Sequence, residues 1–402
     1  MRIRRLTRAE VIKLNISFSL SKYMIMNPII ALRLFFATQS LGLSLWLLRI
    51  PEVKATIGLS LIDLSFALFM QPFGVLIGFF IAPAIIAKTG NKKSCLYFGS
   101  IFIGIFSLIP MAKSFIFLSA ILFASGVVCA AAEVSMNAIA AQMEKEYKRR
   151  MMSRFHSFWS IGALIAGGLV TSMSIFKVSF LTQQLTIIPL IVILAVIAAN
   201  SLPDYVIVHN QSKIKGATSF LPSPSLIILC ITPFGALLLE GALMEWTAVF
   251  KRDYQGLSQV SVGIIFCSFT LSMTLCRFFG DEIINKLNSN NTILISMASS
   301  LIGMLIYAQN ETILLSSAGA ILVGAGIANI YPMTMTLAAS QPGSKEKNVS
   351  IVAFVSFTSF LVSAPLIGFM GEYLGLEIAL SALAPTSLLP MIYLMNRYLR
   401  EK

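Results

Sequence analysis

Residues 114–142, SFIFLSAILFASGVVCAAAEVSMNAIAAQ, decide the class of fold. The stretch holds a single charged residue, Glu133, and is apolar on all faces. As a helix rising about 1.5 Å per residue it is long enough to cross a hydrocarbon core about 30 Å thick. A strand of a membrane barrel would be about 10 residues long with alternating polarity. Other stretches free of Asp, Glu, Lys and Arg repeat the pattern: 34–48, 64–87, 94–112, 155–176, 178–203, 216–239, 254–276, 287–310, 312–344, 348–371 and 378–396. The first of these extends upstream across Arg33 to Pro28. Together with 114–142 they make twelve spans, an even number that puts both termini on one side of a membrane.

Composition agrees. Of the 402 residues, 57% are hydrophobic and only 12% are charged, against about 25% charged in a soluble domain. That excludes a soluble enzyme, a disordered chain and a disulfide scaffold. The five cysteines, Cys95, Cys129, Cys230, Cys267 and Cys276, are odd in number, form no CxxC pair and mostly sit inside apolar runs. They read as packing residues. The net charge of +13 would suggest nucleic acid on a soluble face. Here the basic residues fall between apolar runs, which is the bias of cytoplasmic loops, and no nucleic-acid partner is expected.

That bias also gives an orientation. With the N-terminus inside, the inner segments 1–27, 88–93, 143–154, 202–224, 280–291, 341–348 and 396–402 hold 22 Lys and Arg, and the outer loops hold 6. Both termini are therefore expected in the cytoplasm. Residues 1–26 read as a basic cytoplasmic tail, 27–201 as a first six-helix bundle, and 202–224 as a central loop rich in Pro, Ser, Lys and Gly. Residues 225–398 read as a second six-helix bundle and 399–402 as a cytoplasmic end. Met24 and Met26 are alternative starts, and no cleavable secretory signal is recognisable.

The two halves are alike at an offset near 200 residues. Gly42-Leu-Ser-Leu-Trp46 matches Gly241-Ala-Leu-Met-Glu-Trp246, each is followed by a Gly-Leu-Ser, at Gly58–Ser60 and Gly256–Ser258, and Gly126 matches Gly324. Weak internal symmetry of this kind is a mark of transporters, whose substrate path lies between the repeats. The expected fold is an all-α membrane protein of 12 transmembrane helices in two six-helix bundles.

Local motifs sharpen the expectation. They are Ala132-Glu-Val-Ser-Met-Asn137, Met151-Met-Ser-Arg-Phe-His156-Ser-Phe-Trp-Ser-Ile-Gly162 and Leu239-Glu-Gly-Ala-Leu-Met-Glu-Trp246, with Phe269-Thr-Leu-Ser-Met-Thr-Leu-Cys-Arg277-Phe-Phe-Gly280, Gly324-Ala-Gly-Ile-Ala-Asn-Ile-Tyr-Pro332 and Ala364-Pro-Leu-Ile-Gly-Phe-Met-Gly-Glu372. In this order they resemble the YbjJ-like inner-membrane proteins of the major facilitator superfamily, from about Ile29 to Tyr398. More distantly, Glu133-x-x-x-Asn137 resembles the Glu-Thr-Ala-Ala-Asn of fucose-type proton symporters, where the matching Glu takes part in proton-coupled sugar uptake. The chain departs from those symporters near Leu47, apolar where they carry a functional Asp. It departs from the superfamily's Asp-Arg-x-Gly-Arg-Arg loop motif as well, reading Ala87-Lys-Thr-Gly-Asn-Lys92.

Charges within spans are costly, at least about 2.5–3.5 kcal/mol at the bilayer centre, and so face a cavity or a partner. Glu133 and Asn137 are i, i+4 on one helix face, deep in the fourth span, and are candidates for a protonatable substrate site. His156, at similar depth, is a candidate relay or partner for them. Glu240 is the deeper of two carboxylates placed in the outer half of the seventh span. Glu245 is expected to pair with Arg49 as an outer gate. Arg277 with Asp281, i, i+4, is a candidate local pair near an inner gate, where long side chains snorkel. Asn329 and Tyr331 are candidates for lining the second half of the path. Trp46 and Trp246 are candidates for ring stacking or for interfacial anchoring.

No GxxxxGK[ST], HExxH or Cys/His cluster occurs, and His156 and His209 stand apart. No catalytic residue, metal or cofactor is therefore expected. The expected function is a permease for a small polar solute, a sugar or related metabolite, symported with protons across the lipid bilayer by a monomer. The rival readings are a proton-driven exporter of drugs or metabolites, with Glu133 and Glu240 binding a cation, and a non-transporting membrane sensor.

Overall fold

The computed structural model describes residues 26–149, 151–205, 224–342, 345–388 and 390–392. The basic tail, most of the central loop 202–224 and the end 399–402 lie outside the described residues.

Eleven helices among the described residues are long and apolar enough to cross a membrane. They are α1 (Pro28–Ile57), α2 (Leu61–Thr89), α3 (Asn91–Met111), α4 (Phe115–Tyr147), α5 (Met152–Ile175), α6 (Phe180–Asn200), α7 (Ser225–Tyr254), α8 (Gln259–Phe278), α9 (Ser289–Gln309), α10 (Ile313–Ala339) and α11 (Ile351–Leu374). A shorter apolar helix, α12 (Leu376–Ile392), completes the twelve. Several helices run well past the charge-free stretches. α1 continues through Arg49 to Ile57, α4 crosses Glu133 to Tyr147, and α7 carries Glu240 and Glu245 at its middle. Those charges are inside the bundle, so their positions do not mark helix ends.

The even-numbered helices α2 to α10 share a start signal. Ser60, Ser114, Ser179, Ser258 and Thr312 are N-caps whose hydroxyls accept from the backbone N–H three residues on, satisfying one of the donors a helix start leaves orphaned. The paired Gly-Leu-Ser motifs are the same turn built twice. Gly58 and Gly256 take left-handed φ of 79° and 70°, which glycine adopts without steric cost. Their amides donate to Lys54 O at 2.9 Å and Arg252 O at 3.1 Å, and the serine then caps the next helix.

Repeat-related glycines also pack alike. Gly126 of α4 lies against the Gln71 carbonyl of α2, and Gly324 of α10 lies against the Phe269 carbonyl of α8. A Cβ at either would collide with backbone. Such small-residue contacts let helices approach closely in lipid.

Trp46 and Trp246 are 1% and 0% exposed, in the largest apolar core. Neither stacking on a solute nor anchoring at an interface describes them, because α1 and α7 continue beyond both and bury the rings between helices.

Candidate functional site

Three helices that build the site are irregular. α1 tightens into a 3₁₀ turn at Leu47–Arg49 before resuming at Ile50. α10 is interrupted by a turn at Ala328 and Asn329, between a helix ending at Ile327 and one starting at Ile330. α7 widens into a π-turn over Val249–Tyr254. In transporters such breaks free backbone groups next to the path.

Helices of both halves enclose a cavity of about 1620 Å³. The first half contributes Gln71, Phe79, Phe102, Glu133, His156 and Trp159; the second contributes Glu240, Glu245, Arg277, Asn329, Tyr331 and Phe357. At one end the lining reaches Glu144, Met151, Arg154, Asn285, Ser289 and Ala339, so the cavity opens on the side carrying the basic segments 88–93 and 143–154. The opposite end is tied shut between the halves. There Gln259 Nε2 donates to Leu48 O at 2.7 Å, Leu61 N donates to Glu372 Oε2 at 2.9 Å, and Arg252 lies 3.8 Å from Glu52.

The polar centre of the cavity is Arg277. Its Nη2 meets Glu240 Oε2 at 3.0 Å, its Nη1 donates to Ser160 Oγ at 2.8 Å, and its Nε donates to Ala328 O at 3.2 Å. The last acceptor is a carbonyl at the break in α10. The side chains of Arg277 and Glu240 are 12% and 13% exposed. One guanidinium therefore joins α7, α8 and α10 of the second half to α5 of the first. The expected Arg277–Asp281 pair does not form. α8 ends at Phe278 and a separate short helix starts at Gly280, which breaks the i, i+4 relation; Asp281 stays exposed on the cavity rim.

The expected Arg49–Glu245 gate does not form either. The turn at Leu47–Arg49 swings Arg49 toward α6, where it donates to Gln183 Oε1 at 3.0 Å, to Val178 O at 3.0 Å, and to Glu52 at 2.6 Å. Gln183 in turn donates to Leu45 O at 2.9 Å. Glu245 instead lines the cavity, and its carboxylate has no hydrogen bond or ion pair among the described residues. Glu133 likewise lines the cavity without such a partner.

Asn137 does not reach the cavity lining. Its Nδ2 donates back to the Glu133 carbonyl at 3.0 Å, one turn down its own helix. His156 lines the cavity but bonds to neither Glu133 nor Asn137; its ring stands edge-on to Phe36 at 5.2 Å. Asn329 Nδ2 donates to Cys276 O at 2.9 Å, while its Oδ1 is buried beside Gly280 without a partner among the described residues. The Tyr331 ring stands edge-on to Phe357 at 5.8 Å.

Sequence reasoning passed over Lys251, which is fully buried. Its Nζ donates to Tyr307 O at 2.6 Å, Asn310 O at 2.8 Å and Gln255 Oε1 at 2.8 Å, and lies 4.4 Å from the Tyr307 ring centre. It also passed over Gln183, whose signal was the Gln183-Gln184 pair inside an otherwise apolar run. Among the described residues no group of three His, Cys, Asp or Glu is placed to hold a metal ion.

Two helical halves around a charged central cavity, open at one end and tied at the other, define a membrane transporter. A model of the Major Facilitator Superfamily matches residues 29–365, and the chain belongs to that superfamily. An uncharacterised MFS-type transporter of Yersinia pestis is 26% identical over 356 residues, covering 88% of this chain and 92% of that one. Membrane protein MosC of Rhizobium meliloti is 27% identical over 350 residues, covering 86% and 84%. Among solved structures, the nucleoside transporter NupG superposes with a TM-score of 0.69 at 13% identity, covering 93% of this chain and 99% of that one. A bacterial homologue of the human lysosomal transporter Spinster, inward-facing and occupied, gives 0.66 at 13% identity, covering 91% and 95%. At these identities the structures share the fold alone.

Proposed function

We propose that this transporter carries a small polar solute, a sugar or related metabolite, by alternating access coupled to protons. The observation that carries the reading is the cavity: both halves line it, one end is tied shut, and Glu133 enters it without a partner among the described residues. Glu133 is the proton carrier. Arg277, Glu240, Asn329 and Tyr331 offer the polar contacts for the solute. The resemblance of the Glu133 segment to fucose-type symporters supports this assignment. Given the bias of 22 basic residues to 6, the open end faces the cytoplasm, with both termini on that side of a bacterial inner membrane. The moving bodies are residues 27–201 and 225–398 of a monomer.

The second reading is a proton-driven exporter of organic cations. Glu245 favours it, because a second unpaired carboxylate stands in a cavity otherwise rich in Phe and Met. Proteoliposomes holding a pH-sensitive dye separate the two. Pentoses, hexoses, nucleosides and tetraphenylphosphonium are each added outside. A symported solute acidifies the lumen, and an exchanged cation makes it alkaline; either response is lost in Glu133→Gln. Solute entry with no proton movement, or proton movement unchanged in Glu133→Gln, overturns the role given to Glu133.

A further inference from the structure

The first turn of α2 is capped twice, from two halves of the protein. Its own cap is local: Ser60 Oγ accepts from Asp63 N at 3.0 Å and Asp63 Oδ2 accepts from Ser60 N at 3.2 Å. That reciprocal pair leaves the Leu61 N–H unsatisfied. Leu61 N donates instead to Glu372 Oε2 at 2.9 Å, a carboxylate at the end of α11 in the other half. The negative charge also sits at the positive end of the α2 dipole.

Glu372 reaches this position because of the glycines before it. Gly368 lies directly on Ser65 and the Leu61 carbonyl, and Gly371 lies against the Leu61 side chain. A side chain at Gly368 would run into Ser65 and hold the helices apart. The Phe66 and Phe369 rings meet edge-on at 5.9 Å beside the contact. The Gly368-Phe-Met-Gly-Glu372 motif thus seats one carboxylate on one helix end. The repeat-related contact has the glycine packing without the acid. Gly263 of α8 lies against Thr171 of α5, Gly167 of α5 lies against Phe266 of α8, and α5 ends at Ser174 and Ile175.

We propose that Glu372 is a positioning residue of the transport cycle. It is a latch from the second half that caps α2 while this end is closed and must release the Leu61 N–H when this end opens. The inference rests on the alternating-access reading. Its test needs no solute, so it is judged apart from the proton assay.

Spin labels are placed at Ala55→Cys and Glu311→Cys, exposed positions of the two halves at the tied end, with the five native cysteines changed to alanine. Distances are measured by double electron–electron resonance in lipid. Glu372→Ala is expected to raise the ratio of long to short distances by about threefold to tenfold, the size of a lost helix cap. Glu372→Gln, which keeps a neutral acceptor, falls between Ala and the native residue. Thermal midpoints are recorded beside each distribution. A lower midpoint with an unchanged distribution shows a cap that only stabilises α2, and overturns the proposal. Should the Ala variant not fold, the Gln variant decides: no shift there overturns the latch as well.

Discussion

Arg277 offers the sharpest test of how the cavity is held together. Replacing it with Gln leaves Glu240 facing the cavity without its cation and removes the donors to Ser160 Oγ and Ala328 O. Removing one member of a buried, hydrogen-bonded ion pair costs about 3–5 kcal/mol. The side chains are 12% and 13% exposed and the cavity opens to water, so the lower part of that range applies. The Ala328 carbonyl adds about 1 kcal/mol when left unsatisfied. The expected loss is about 4 kcal/mol. Glu240→Gln alone leaves a mostly buried guanidinium with two of its three partners and is expected to cost about 2 kcal/mol. In the double variant neither charge is stranded, so a coupling of about 2 kcal/mol is expected between the sites. The assay is unfolding in mixed micelles of rising sodium dodecyl sulfate, followed by the fluorescence of the three tryptophans. If the two changes add within about 0.3 kcal/mol, the pair does not hold these helices together and the argument fails.

Three further outcomes follow from the packing. Gly126→Leu and Gly324→Leu each drive a side chain into a backbone carbonyl of the neighbouring helix; each is expected to lower stability by at least about 3 kcal/mol, read as loss of the monodisperse peak in size-exclusion chromatography. Lys251→Met strands the Tyr307 and Asn310 carbonyls and is expected to cost about 2–3 kcal/mol in the same unfolding assay. Asn137→Ala removes only a back-bond to its own helix; if Glu133 is the proton carrier, proton-linked uptake stays within about twofold of the native rate in Asn137→Ala, while Glu133→Gln abolishes it.

What was legible in the sequence was whatever depends on local chemistry. Run length and the near absence of charge gave the helices. The Gly-Leu-Ser pairs gave the repeat, because a left-handed glycine followed by a hydroxyl cap is a complete local instruction. The cavity positions of Glu133, His156, Glu240, Asn329 and Tyr331 were legible too, since a polar side chain in the middle of a span needs somewhere to go; Glu245 lines the same cavity but was read as a gate. Partners were not. Arg277 and Asp281 have the spacing of a helical pair, but the helix stops between them. Arg49 is aimed by a tightened turn at Leu47–Arg49 that no residue pattern announced. Asn137 satisfies its amide one turn away on its own backbone, an option open to any helical Asn. Glu372 was visible only as the last residue of a motif, because its partner is a backbone N–H more than 300 residues earlier.

The Arg277–Glu240 pair has a consequence for how a membrane voltage acts on this protein. A charge moved through the whole field gains about 2.3 kcal/mol per 100 mV. The bonded pair carries no net charge, so under the proposed alternating access the field does little work on it. If the proposed alternating access holds, the voltage acts instead on Glu133 and Glu245, cavity carboxylates of the two halves with no ion pair among the described residues, and the protons they hold set how strongly it acts.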